Sequence, residues 1–257
     1  MSYLIICTVA FLASALTFFS GFGLGTLLLP AFAVFFAIEK AVALTAVVHF
    51  LNGLFKLLLL WRHVDRAIVI RFGGLAIVGA LAGAWSLLWL SEARTIVSYS
   101  LWGRTVEVAP AKLVVGVLLL VFACAEILPS FRQITFPARF LPLGGFLSGF
   151  FGGLAGMQGA LRSAFLIKAG LTKEAYVATG AAIAFVIDVT RLGVYSQLIL
   201  RHRAELDYPL LVAAVIAALA GALLGNRYLP QATLSGIRGI VAALLFAVAL
   251  GLISGVL

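Results

Sequence analysis

Apolar residues run along this chain in blocks of about 20, the length a helix needs to cross a bilayer. No other feature limits the possible folds so sharply. Of 257 residues, 64% are hydrophobic and only 11% are charged, where a soluble domain carries roughly 25% charged residues. So few charges cannot cover a water-facing surface, so the solvent for most of this chain is lipid. By length alone, residues 41–61, 67–90, 111–128, 172–199, 208–229 and 234–257 read as spanning helices, and the polar stretch 91–110 is the longest non-apolar segment.

Two blocks differ from the rest. Residues 3–38 and 140–170 are apolar but too long for one straight crossing of about 20 residues. Each is interrupted by glycine, at Ser20-Gly21-Phe22-Gly23-Leu24-Gly25 and at Gly152-Gly153-Leu154-Ala155-Gly156. A short helix, a glycine turn and a second short helix fit each block, as a re-entrant hairpin or a broken helix. The blocks also expose an internal repeat. Phe18-Phe19-Ser20-Gly21-Phe22 parallels Phe146-Leu147-Ser148-Gly149-Phe150, and Ala41-Val42-Ala43-Leu44-Thr45 parallels Ala175-Tyr176-Val177-Ala178-Thr179. The fold expected is an all-α polytopic membrane protein of two repeats, residues 1–128 and 129–257. Each repeat holds a glycine-broken block plus three spanning helices, and together they form one transport domain.

The charge balance is +9. In a soluble protein that would suggest nucleic acid, but here the basic residues sit at the ends of apolar blocks, and no basic stripe interleaved with aromatics occurs. If both broken blocks re-enter, one side of the membrane collects Arg62, Arg66, Arg71, Arg132, Arg139, Arg162, Lys168, Lys173, Arg227 and Arg238. The other side collects only Lys40, Arg94, Arg104, Lys112, Arg201 and Arg203. Positively charged loops stay in the cytoplasm, so this arrangement favours inverted repeats with both termini outside the cytoplasm. The N-terminus is apolar from Tyr3 without a basic lead, so no cleaved signal peptide is expected.

Gly21-Phe22-Gly23-Leu24-Gly25 with Pro30 after it, then Ala41 through Leu44-Thr45, resembles the sulfite exporter TauE/SafE family of membrane permeases. Leu24 and Thr26 interrupt the run of glycines usual in that family's first motif. The second half repeats the pattern from Gly152-Gly153 to Thr179-Gly180. The resemblance covers nearly the whole chain as architecture. It implies transport of sulfite, sulfonates or related small organosulfur anions across a bacterial or archaeal inner membrane.

The residues point the same way independently. In the hairpin reading, limbs starting near Thr26 and Met157 present helix N-termini deep in the membrane. Such ends carry free N–H groups and partial positive charge, and they suit an oxyanion. Gly21, Gly23, Gly25, Gly153 and Gly156 then let backbone approach the ligand. An ionisable residue inside a span costs at least ~2.5 kcal/mol on insertion scales, so each needs a reason. Thr45, His49, Asn52 and Lys56 recur at helical spacing and form one polar stripe. Asp188 and Arg191 stand three apart and can pair, with Arg191 reaching the anion and Asp188 holding it or taking a proton. Gln158 and Arg162 lie on the outgoing limb of the second break. Thr179 parallels Thr45 but lies on the opposite helix face from Asp188. Each has a plainer reading: small-residue packing for the glycines, a structural ion pair for Asp188 and Arg191, snorkelling for Lys56, and helix contacts for His49 and Asn52.

Cys7 and Cys124 lie in apolar segments without metal-ligand spacing, and no metal or other cofactor is expected. No HExxH, GxSxG or P-loop motif is present, so neither an enzyme nor an ATP-driven pump is expected. The expected partners are a small anionic substrate and the lipid bilayer. A coupling proton or sodium ion and a homo-oligomer are both compatible with the sequence. The alternatives are a channel or carrier for another solute, such as a cation held by Asp188 and Glu126, or a membrane assembly factor without transport.

Overall fold

A computed structural model describes residues 1–20, 23–101, 103–128, 130, 134–201, 207–228 and 235–257. The helices in chain order are α1 (Ser2–Ser20), α2 (Leu24–Ala33), α3 (Ile38–Leu60), α4 (Arg66–Glu92), α5 (Pro110–Ile127), α6 (Leu141–Ala155), α7 (Gly159–Leu166), α8 (Lys173–Arg201), α9 (Tyr208–Tyr228) and α10 (Ser235–Ser254). Among the described residues, four segments are long and apolar enough to cross a membrane: Ile38–His63, Arg66–Glu92, Lys173–Leu200 and Tyr208–Gly225. The protein is an all-α polytopic membrane protein.

The polar stretch between α4 and α5 adds an element the sequence reading did not assign. β1 (Val97–Leu101) and β2 (Arg104–Val108) pair antiparallel, Val97 opposite Val108. β1 alternates apolar and polar residues, as strands do, and four of its five residues are exposed. Gly103, at φ 76°, supplies the left-handed residue of the turn. The ribbon rests on the end of α10, where the Tyr99 hydroxyl donates to the Ser254 carbonyl at 2.6 Å.

Helix pairing follows the small residues. In lipid there is little hydrophobic drive between helices, so close backbone approach and dispersion hold them together. Gly145, Gly149 and Gly153 of α6 sit on the backbones of Phe72, Ala76 and Ala80 of α4, so these two helices run parallel. Gly221 and Gly225 of α9 sit in the same way on Phe11 and Ala15 of α1, again parallel. α3 and α8 are antiparallel: Phe50 stacks on Phe185 at 5.4 Å, and the Asp65 N–H, just past α3, donates to Thr179 Oγ1 at 2.9 Å. α5 and α10 are antiparallel too, with Gly116 against Ala249 and Gly255 against Glu107.

These directions fix where the chain turns back. The Tyr3 hydroxyl donates to Asp207 at 2.7 Å, which brings the starts of α1 and α9 together. Lys40 at the start of α3 lines a depression with Tyr208 and Leu211 at the start of α9. So α1, α3 and α9 all begin at one end of the bundle, the near end, and α2 must return the chain there. In the second half the Phe136 N–H donates to the Ala164 carbonyl at 3.0 Å, tying the segment before α6 to the end of α7. α6 and α7 therefore fold back on each other from the far end, where α4 and α8 also begin.

The turn in the second block falls at Gly156, the last glycine of the expected break. Gly152 and Gly153 are helical, in the last turn of α6. The helix stops at Gly156, whose φ of 75° is left-handed, a conformation that glycine adopts without Cβ strain. Its N–H bonds the Gly152 carbonyl at 2.9 Å and the Met157 N–H bonds Phe151 at 3.2 Å, so two end carbonyls of the helix are satisfied. In the first block Gly23 is the N-cap of α2 and Gly25 lies in its first turn; Gly21 lies outside the described residues.

Candidate functional site

The two turns meet. A Cβ on Gly25 would fall on the Gly156 carbonyl oxygen, and one on Gly23 would lie 3.4 Å from the Gly159 nitrogen. Gly25 needs glycine for this approach, whereas a Cβ at Gly23 would make only ordinary contact across the junction. The start of α2 and the start of α7 thereby converge beside the middle of α3.

A cleft opens from this junction toward the far end of the bundle. It holds ≈ 570 Å³ of empty space, open solvent at its mouth included. Leu24, His49, Asn52, Lys56, Arg162, Ser163, Tyr176 and Gly180 are among its lining residues. The polar stripe read from helical spacing on α3 is therefore real as a surface. His49 is 6% exposed, Asn52 2% and Lys56 9%, so Lys56 turns into the protein rather than out to the lipid headgroups. Thr45 continues the stripe inward. It is fully buried, and its hydroxyl has no hydrogen-bond partner among the described residues.

Behind the cleft wall lies a polar network around Asp188. His49 Nδ1 lies 2.6 Å from Asp188 Oδ2. Gln158 Nε2 donates to Oδ1 at 3.1 Å, and Arg191 Nε donates to the same oxygen at 2.9 Å. Arg191 Nη2 makes an ion-pair contact with Oδ1 at 2.7 Å, and Nη1 donates to the Gly152 carbonyl at 3.1 Å. The Tyr195 hydroxyl donates to the Gly153 carbonyl. Gln158 Oε1 accepts from Arg162 Nη1 at 3.2 Å, and its backbone carbonyl accepts from Ser148 Oγ at 3.0 Å. Asp188, Arg191 and Gln158 are all fully buried. An unpaired carboxylate at such depth would be strongly disfavoured, and three N–H groups aimed at it remove that penalty.

The residues expected at a site thus fall into groups. His49, Asn52, Lys56 and Arg162 face the cleft, and Gly23, Gly25 and Gly156 build the junction at its head. Asp188, Arg191 and Gln158 form its internal support, with Gln158 bridging Asp188 to Arg162. Gly153 belongs to the α4–α6 contact. Thr179 is bonded to the Asp65 backbone at the α3–α4 turn, away from Asp188, as its position on the opposite helix face suggested. The side chain of Glu126 lies outside the described residues. Tyr195 and Ser148 were not anticipated. Both are hydroxyls bonded to backbone near the second turn; Ser148 stands in the repeated Phe-Leu-Ser-Gly-Phe segment, while nothing in the local sequence marks Tyr195. Among the described residues no three His, Cys, Asp or Glu side chains converge.

Fold and cleft together define a multi-pass helical membrane protein with a polar, cation-lined site inside the bundle, the class of the membrane permeases. The chain belongs to the sulfite exporter TauE/SafE family, whose profile matches residues 6–252. That is a family of membrane transporters. No curated protein matches the chain.

Proposed function

We propose that this protein is a secondary transporter of a small sulfur oxyanion, sulfite or an organosulfonate, in a bacterial or archaeal inner membrane. The observation that carries this reading is the sign of the charge in the cleft. Lys56 and Arg162 both line it, and the carboxylate behind its wall, Asp188, is already engaged by His49, Gln158 and Arg191. An anion seated between Lys56 and Arg162 gains two charge-assisted partners, while Asn52 offers an amide beside them. A cation has no oxygen cage to enter among the described residues.

Alternating access is supported by how the halves are arranged. Pair by pair, α1 runs opposite to α6, α3 to α8, α4 to α9 and α5 to α10, as expected of inverted repeats. The cleft is open toward the far end. At the near end the corresponding gap between α3 and α8 is a smaller apolar depression lined by Ala43, Leu44, Val47 and Leu198. Rocking one repeat on the other would exchange the open and closed ends around the same junction.

Thermal unfolding of the purified protein in detergent tests the substrate class. Sulfite or an organosulfonate should raise the midpoint with increasing concentration, following RT ln(1 + [L]/Kd), and chloride should do so much less. No anion stabilising the protein, alongside a metal ion that does, would sink the proposal.

A further inference from the structure

We propose that the His49–Asp188 pair is the proton site that couples anion movement to a pH gradient, with His49 taking one proton from the cleft and carrying it alongside the anion. This rests on the transport reading above and names its coupling ion. The pair joins the two halves of the molecule. His49 belongs to α3 and Asp188 to α8, 2.6 Å apart, and the imidazole lines the cleft while the carboxylate is wholly buried. A proton arriving through the cleft therefore reaches the ring first. Neutral His49 donates through Nδ1 to Asp188 and gains the proton on Nε2, with no other bond broken. The imidazolium releases it by the same step when the cleft faces the other side.

Sodium does not fit this place. Asp188 Oδ1 accepts from Gln158 and Arg191, and Oδ2 faces His49. A sodium ion would need those same oxygens and several more, with cations on either hand.

The charges facing His49 explain why proton and anion should move together. Arg191 stands behind Asp188 on α8, Arg162 faces the cleft from α7, Lys56 lies two turns along α3 itself, and Tyr176 stands on the cleft wall. With the cleft empty, an imidazolium adds one more cation to this group against a single carboxylate. An anion between Lys56 and Arg162 offsets that repulsion, so each ligand favours the other. By linkage the effect is reciprocal. The site also has a mechanical outlet. Asp188 is bonded to Gln158, the N-cap of α7, and through Arg191 to the Gly152 carbonyl of α6. A change in the bond to His49 is thus felt on both limbs of the second hairpin.

Proteoliposomes loaded with a pH-sensitive dye provide the test, with labelled sulfite and labelled isethionate as probes. Exchange at equal pH on both sides reads transport alone, and dye response on anion addition reads proton entry. Isethionate carries no proton of its own. For sulfite, the difference between variants isolates the proton carried by His49. The wild type should move about one proton per isethionate, and H49Q, which keeps an N–H for Asp188 but does not titrate, should bring that ratio below about one-tenth. The ratio does not depend on how much the exchange rate itself falls. Exchange by the wild type with no proton movement, or an unchanged ratio in H49Q, overturns the coupling inference and leaves transport standing. Failure of the wild type to exchange either anion overturns the transport reading, and this inference with it.

Discussion

At the scale of single residues, Arg162 and Arg191 have different work. Arg191 is fully buried, and it holds Asp188 and the Gly152 carbonyl at once. Removing it leaves a carboxylate uncompensated in a low-dielectric interior, a loss of about 3–5 kcal/mol for pairs of this kind. R191A should therefore lower the unfolding midpoint sharply and reduce folded yield, with or without anion. Arg162 faces the cleft and bonds only Gln158 Oε1 among the side chains described here. R162Q should unfold within about 1 kcal/mol of the wild type, the cost of a typical hydrogen bond, yet lose most of the stabilisation by sulfite. Thermal unfolding of both variants across a sulfite titration separates the roles. Equal loss of stability in the two would show that Arg162 is structural as well.

At the scale of elements, glycine carries two meanings that sequence alone does not separate. Gly156 marks a turn because its left-handed φ stops α6. Gly152 and Gly153 look like part of the same break, but they are helical and one of them faces α4. The polar stripe on α3 was legible from spacing, since a polar group in lipid is costly enough to need a partner or a cavity. The engagement of Asp188 by His49 and Gln158 was not, because it joins residues 139 and 30 positions apart. Nor was the β-ribbon, whose short alternation is faint beside the apolar spans. The seam between α4 and α6 gives a prediction from a single kind of substitution. A Cβ on Gly149 would overlap the Ala76 carbonyl oxygen, whereas at Gly74, also in α4, nothing lies within 4 Å. Gly149→Ala should force the helices apart and lower the unfolding midpoint. Gly74→Ala should be neutral or raise it slightly, because alanine is favoured over glycine in a helix by roughly 0.5–1 kcal/mol. Like effects in both variants would mean that the seam is looser than its backbone contacts indicate.

At the scale of the whole molecule, the helix directions turn charge into orientation. The near end holds both termini, the β-ribbon and the start of α3. The far end holds the α3–α4 turn, the segment before α6, the end of α7 and the start of α8. Arg62, Arg66, Arg139, Lys168 and Lys173 gather at that far end, so the positive-inside rule predicts that this end lies in the cytoplasm. The cleft that opens there then faces the cytoplasm, and the β-ribbon faces out. Thr105 on the ribbon and Lys168 beyond α7 are both exposed, which makes them a matched pair of reporters. In intact cells a membrane-impermeant maleimide should label Thr105→Cys, and it should label Lys168→Cys only after permeabilisation. The native Cys7 and Cys124, which lie within helices and are half-buried, set the background in the unsubstituted chain. The opposite pattern would turn the molecule over, and the cleft described here would then be the side that receives substrate from outside the cell.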